Sequence, residues 1–211
     1  MRVRSATRRC ANAPASDLKK RKRSIIAMQT SREDVLQRVI DRSEIYDVMC
    51  RYARGVDRGD WELLRSTYHP DAYDDHVEFK GPVDGLIEWL KERFAGVDNS
   101  MHFIGNCLIE FAGPDLALVE TYFTSRRLRQ PVGDECKTTA TGDAICRQSW
   151  GRYVDRFERR EGQWRVKNRK VVLEARYTSI AKSGARDERT TWGMRDISDP
   201  LYVARGELFG Q

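Results

Sequence analysis

M-H-F-I-G-N-C-L-I-E-F at 101–111 and L-A-L-V-E-T-Y-F-T-S-R-R-L-R at 116–129 flank the turn signal Gly113-Pro114-Asp115. Both runs are rich in β-branched and aromatic residues and read as consecutive strands joined by a tight connection. Two more strand-like segments follow at 144–159 and 163–178, separated by Glu161-Gly162, while 130–143 reads as a polar loop. Strands of this length are expected to bend strongly, with bulges.

Upstream of residue 101 the period changes. Ser31 followed by Asp34 resembles a capping box with Asp in place of Glu. Val35, Val39, Ile40, Ile45, Val48, Met49 and Tyr52 then recur near helical spacing. This helix is expected to end at Gly55. Asp60 is expected to cap a shorter helix over Trp61–Tyr68, broken by His69-Pro70-Asp71. A strand at Tyr73–Phe79, a turn at Gly81-Pro82 and a helix over Val83–Phe94 complete the pattern. Helix, helix, strand, helix and four strands predict an α+β fold: a curved antiparallel sheet with helices gathered on one face, enclosing a conical pocket.

The chain has 211 residues, 40% of them apolar, enough for one core. Eight Tyr, five Trp and seven Phe allow that pocket an aromatic lining. The net charge of +6 is concentrated at one end. Residues 1–30 hold nine basic side chains against Asp17, so residues 31–211 are two charges negative. A near-neutral body argues against nucleic acid as a partner. No run approaches the roughly 18–20 apolar residues of a membrane helix. The leader at 1–30 is basic and lacks the apolar core of a secretory signal. Solvated disorder is the reading its composition favours, and Met28, just before the first helix signal, suggests a mis-assigned start. The expected organisation is this leader, a domain over 31–178, and a polar extension over 179–211 that either wraps a neighbouring subunit or hangs loose. Cys10, Cys50, Cys107, Cys136 and Cys146 form no C-x-x-C pair and read as reduced thiols in a cytoplasmic protein. They lack the ligand spacing of a zinc site.

Two short stretches carry the chemistry: Y-A-R-G-V-D-R-G-D-W at 52–61 and S-M-H-F-I-G-N at 100–106. The first delivers Asp57 and the second His102. A carboxylate beside an imidazole fixes its tautomer and stabilises its protonated form, which suits His102 as a proton-abstracting base. Tyr52, five residues before Asp57, either donates to a substrate oxygen or packs in the core. His76 is a candidate for the pocket lining. Asn106 shares the parity of His102 and either binds substrate or ties down a bulge; Cys107 then points the other way. Arg169 either approaches the pocket or continues the basic stripe Arg165–Lys167.

The element order and these motifs resemble the SnoaL-like group of the nuclear transport factor 2 superfamily over roughly residues 31–178. Val56-Asp57-Arg58-Gly59-Asp60-Trp61 with His102-Phe103-Ile104-Gly105 looks most like scytalone dehydratase. Tyr52, Asp57 and Ser100-Met101-His102 look like bile acid 7α-dehydratase, and Asp57 with His102 matches the acid–base pair of hexachlorocyclohexane dehydrochlorinase. The resemblance implies a cone-shaped α+β barrel, a trimer or else a dimer, no metal and no organic cofactor. It also implies His102 as base, Asp57 as its partner, and Tyr153 where the fungal dehydratase has a substrate-binding Asn. Thr121 stands where that dehydratase has a second catalytic His, and His76 where it has a water-binding Tyr. The expected function is therefore a cofactor-independent lyase removing water from a hydrophobic, aromatic or polycyclic hydroxylated small molecule, as in aromatic compound catabolism. The alternatives are carbon–carbon cleavage releasing formaldehyde from a lignin-derived diaryl compound, an isomerase or cyclase, and a binding module or dioxygenase small subunit.

Overall fold

The computed structural model describes residues 31–182 and 189–210. The leader at 1–30, with Cys10, lies outside the described residues. The chain divides into two compact units at Ile40/Asp41. Of the first unit, residues 31–40 are described, and they open helix α1 (Arg32–Arg58). Asp34 N donates to Ser31 Oγ at 3.0 Å and Ser31 N to Asp34 Oδ2 at 3.1 Å, the reciprocal box expected from the sequence. Val35, Val39 and Ile40 are exposed, so the buried stripe of α1 starts later than the periodicity suggested.

The second unit carries the rest of α1 and then α2 (Trp61–Ser66), β1 (Tyr68–His76), β2 (Phe79–Pro82), α3 (Val83–Phe94), β3 (Val97–Phe111), β4 (Leu116–Arg129), α4 (Glu135–Thr138), β5 (Ala144–Arg160), β6 (Gln163–Ala181) and α5 (Pro200–Phe209). The α+β order is the one expected, with three additions and one shift: Gly81-Pro82 belongs to a short strand rather than a turn, the 130–143 loop contains α4, the C-terminal extension contains α5, and β1 begins at Tyr68, so His69-Pro70-Asp71 lies within a strand. The six strands run in the order β2-β1-β6-β5-β4-β3, so the curved sheet is open at β2 and β3 and does not close into a barrel. It is antiparallel except where β1 lies parallel to β6. Periodicity reveals that a strand exists but not its partner or direction, which is why an all-antiparallel sheet was expected.

Helices α1 and α3 cover one face. Ile45, Val48, Met49, Tyr52 and Val56 of α1 and Leu86, Ile87 and Leu90 of α3 are buried with Ile109, Val119, Tyr153, Phe157 and Val166 of the sheet. Each such apolar burial is worth about 1.5–3 kcal/mol.

Helix α1 does not stop at Gly55. It continues to Arg58 and ends in a Schellman motif around Gly59, whose φ of 67° is left-handed. Gly59 N donates to Val56 O and Asp60 N to Gly55 O. Asp60 then caps α2, its carboxylate accepting from Leu63 N at 3.0 Å. Gly55 serves a different purpose: a Cβ there would lie 2.8 Å from both the Cβ and the backbone N of Leu64. Because α1 runs on, Asp57 sits in its last turn rather than in a following loop.

The C-terminal extension does not hang loose where it is described. Arg195 Nη1 donates to Val56 O and Asp57 O, both at 2.9 Å, giving the last-turn carbonyl of Asp57 a donor and Val56 O a second one beside Gly59 N. Arg58 returns the contact, donating to Met194 O at 2.7 Å and pairing with Asp199, which caps α5.

Gly-to-Ala inside a helix normally stabilises by about 0.5–1 kcal/mol. At Gly55 the sign should reverse, because the added methyl meets backbone: Gly55→Ala is expected to cost about 1–3 kcal/mol in urea unfolding, with unchanged slope.

Candidate active site

Asp57 and His102 meet. Asp57 is 6% exposed, and its carboxylate accepts three hydrogen bonds. Ser100 Oγ donates to Oδ1 at 2.7 Å, His102 Nδ1 to the same oxygen at 2.7 Å, and the backbone N of His102 to Oδ2 at 2.6 Å. Burial alone would raise the pKa of this carboxyl. The charge and hydrogen bonds of His102, together with the Ser100 hydroxyl, outweigh burial and hold it below its ordinary value. With Nδ1–H given to Asp57, Nε2 is the ring nitrogen left to accept a proton.

His102 opens onto a pocket of about 670 Å³, its solvent-open mouth included. Tyr52, His76 and Tyr153, all expected from the sequence, line the same pocket, with Trp89, Phe94 and Phe123 among its aromatic walls. Tyr153 stacks on Phe123 at 4.3 Å and meets Tyr52 edge-on at 5.5 Å. Burial pushes the Tyr52 phenol above its ordinary pKa, so it remains a proton donor. On the opposite wall His76 packs at 5.6 Å from Trp89, and its Nδ1 lies 3.3 Å from Asp74 Oδ1 without the alignment of a hydrogen bond. His102 is flanked across the sheet by Ser125 and Ser149, which also reach the pocket.

Two expected site residues lie elsewhere. A register shift between Ile104 and Cys107 breaks the alternation of β3. Asn106 therefore faces a separate groove beside Phe103, Tyr122 and Trp150, while Cys107 turns inward to accept from Thr121 Oγ1 at 3.5 Å. Burial raises the pKa of the Cys107 thiol, which does not suit a nucleophile. Arg169 neither lines the pocket nor continues a basic surface. It is 2% exposed and clamps Asp155 with two bonds of 2.8 and 2.6 Å. Its guanidinium lies 4.1 Å from the Tyr52 ring centroid and 4.2 Å from that of Tyr153. Burial opposes its charge, but Asp155 and the tyrosine oxygens hold its pKa above the ordinary value. Arg169 thus supports the tyrosines from behind. His69 Nε2 donates to Glu158 O at 2.9 Å and takes no part in the pocket. Among the described residues no three His, Cys, Asp or Glu gather into a metal-binding group.

Sequence reasoning missed Ser100 and Arg195. Ser100 was legible in principle, two residues before His102 on the same face of a strand. Arg195 was not, since its partners are main-chain carbonyls far away in the chain.

A family model described as a SnoaL-like domain matches residues 37–170. Comparison with curated proteins finds no match. Among solved structures, a candidate scytalone dehydratase from Novosphingobium aromaticivorans superposes with a TM-score of 0.58 at 17% identity, covering 73% of this chain and 99% of that one. A type 2 hexachlorocyclohexane dehydrochlorinase (LinA) gives 0.57 at 18% identity, covering 72% and 98%. The type 3 enzyme from Novosphingobium barchaimii gives 0.55 at 19%, covering 72% and 99%. At these identities the likeness is one of fold.

A carboxyl whose folded pKa is depressed contributes stability above its unfolded pKa of about 3.9, and loses it as pH falls through the folded value. The stability gap between wild type and Asp57→Asn should therefore be widest near neutral pH. It should narrow on acidification below about pH 4, read from urea unfolding at stepped pH.

Proposed function

The chain belongs to the SnoaL-like family, and from that membership together with the geometry of its pocket we propose that it is a cofactor-independent lyase. The observation that carries this reading is the 2.7 Å contact between His102 Nδ1 and Asp57, at the edge of an aromatic-walled pocket. His102 Nε2 takes a proton from a C–H next to an electron-withdrawing group. The C–H electrons form a carbon–carbon double bond, and the neighbouring C–O bond breaks. The departing oxygen, polarised by hydrogen bonds from Tyr52 and His76, leaves as water with the proton that His102 has taken, which returns the imidazole to its neutral form. Asp57 stabilises the imidazolium that forms. The substrate class is a hydroxylated aromatic or polycyclic molecule, supported by the Phe123, Tyr153, Trp89 and Phe94 walls. The same base, placed against a hydroxymethyl O–H instead, would release formaldehyde with cleavage of a carbon–carbon bond. The four described cysteines are unpaired, which supports a reducing, cytoplasmic setting.

The test uses purified protein and its His102→Ala variant against a panel of hydroxylated aromatic, diaryl and steroid compounds, analysed by mass spectrometry. A product lighter by water is expected, with the variant slower by about 10²–10⁴-fold at equal folding. Loss of the mass of formaldehyde would identify the carbon–carbon lyase, and an unchanged mass with shifted retention an isomerase. Wild-type turnover by His102→Ala would sink the mechanism.

A homo-oligomer, trimer before dimer, belongs to the same proposal. Phe103, Tyr122, Trp150 and Tyr177 leave apolar surface exposed on the sheet face away from the helices. Sedimentation at micromolar concentration is expected to show an oligomer that Phe103→Asp shifts toward monomer; a monomeric wild type would count against it.

A further inference from the structure

Two same-face rows of side chains cross the sheet beside His102. The first reads His102, Ser125, Ser149, Arg176, and the adjacent row reads Ser100, Arg127, Arg147, Thr178. Register places Arg127 of β4 directly opposite Arg147 of β5. Like charges in directly opposed positions destabilise a sheet. All three arginines line the pocket, and Arg93 reaches it from α3.

The described residues supply too few anionic groups to balance them. Glu78 is the one carboxylate lining the pocket, and it is already engaged by Arg93 and by Arg176 at 2.9 Å. Among the described residues Arg127 and Arg147 have no ion-pair partner; Arg127 lies over the Phe94 ring at 5.5 Å. Burial and the neighbouring charges of Arg93, Arg147 and Arg176 push the Arg127 pKa down to about 9, which still leaves it charged at neutral pH. Burial and neighbouring arginines lower Arg147 as well. A repulsive, partly desolvated pair of guanidiniums is what an anion-binding site looks like without its anion.

The geometry points to a carboxylate-bearing substrate: an aromatic acid whose carboxylate sits between Arg127 and Arg147 while its reacting carbon lies beside His102. This assignment rests on the lyase reading of the pocket and deepens it by naming the anionic group. Phe94 and Phe123 supply the apolar wall for the ring, and Ser125 and Ser149 share the row of the base, one row from the arginines. The planar fork of each guanidinium matches a carboxylate. A bound anion also relieves the repulsion between the two arginines.

Titration calorimetry with trans-cinnamate, its methyl ester and phenyl phosphate tests this on wild type, Arg127→Gln/Arg147→Gln and His102→Ala. Cinnamate should bind wild type saturably, and the ester at least about tenfold more weakly. The double variant should lose about tenfold for cinnamate and little for the ester. It should also melt no lower than wild type, since a repulsion has been removed. Should the double variant fail to fold, single Arg147→Gln and a potassium chloride series on wild type read the same term, cinnamate affinity falling with salt. Equal binding of acid and ester, no saturable cinnamate binding, or unchanged affinity in the arginine variants would overturn the assignment. Tighter binding of phenyl phosphate than of cinnamate would overturn the carboxylate as the group bound. His102→Ala should retain cinnamate binding, so lost turnover with intact binding touches the lyase chemistry alone, and lost anion preference touches this inference alone.

Discussion

A carboxylate removed from water must have its acceptors filled, and Asp57 meets that requirement by joining the last turn of α1 to the start of β3. Its three donors, the Ser100 hydroxyl and the ring and main chain of His102, come from two residues of one strand. The same bonds that satisfy the buried charge aim the imidazole and choose its tautomer. Loss of the carboxylate would leave a main-chain N–H, a hydroxyl and a ring N–H without their acceptor, each a cost of order 1–3 kcal/mol. Site and fold therefore share one set of contacts. The Schellman turn at Gly59 and the Arg195 contacts serve the same end by fixing where α1 stops.

Behind the pocket a second constraint operates. Arg169 and Asp155 form a fully buried pair, and such pairs gain little in net stability because desolvation offsets attraction. This pair does more than neutralise itself. The guanidinium lies against Tyr52 and Tyr153 and donates to Tyr68 at 3.2 Å, and Tyr68 in turn donates to Asp74 at 2.6 Å. The floor of the pocket is thereby held by directional bonds as well as by apolar packing.

Much of this was legible in the chain. Strand runs, the helix at 83–94 and the capping role of Asp60 follow from local patterns, and the pairing of Asp57 with His102 from two distant motifs read together with the family resemblance. The failures share a cause: each depended on a neighbour that the linear sequence does not name. Gly55 reads as a helix stop, but Leu64 packs against it and Gly59 is the left-handed residue. Asn106 reads as facing with His102 until a bulge inserts between them. Arg169 reads as surface charge unless Asp155 is known to lie across the strand pair. The opposition of Arg127 and Arg147 exists only through register, which residue periodicity does not specify.

The parallel union of β1 with β6 has a consequence for how the molecule comes into being. Strands β3 to β6 pair with sequence neighbours and can zip from adjacent turns, whereas Tyr68 and its partner Arg169 are 101 residues apart. During synthesis β1 emerges long before the strand it must lie against. Until then only its β2 side is paired, and the side that will meet β6 is an open edge. One wall of the pocket is thus a late arrival. A refolding chain whose antiparallel meander forms ahead of the β1–β6 pairing would hold half a site, and its vulnerability to pairing with the wrong molecule is set by how long β1 waits.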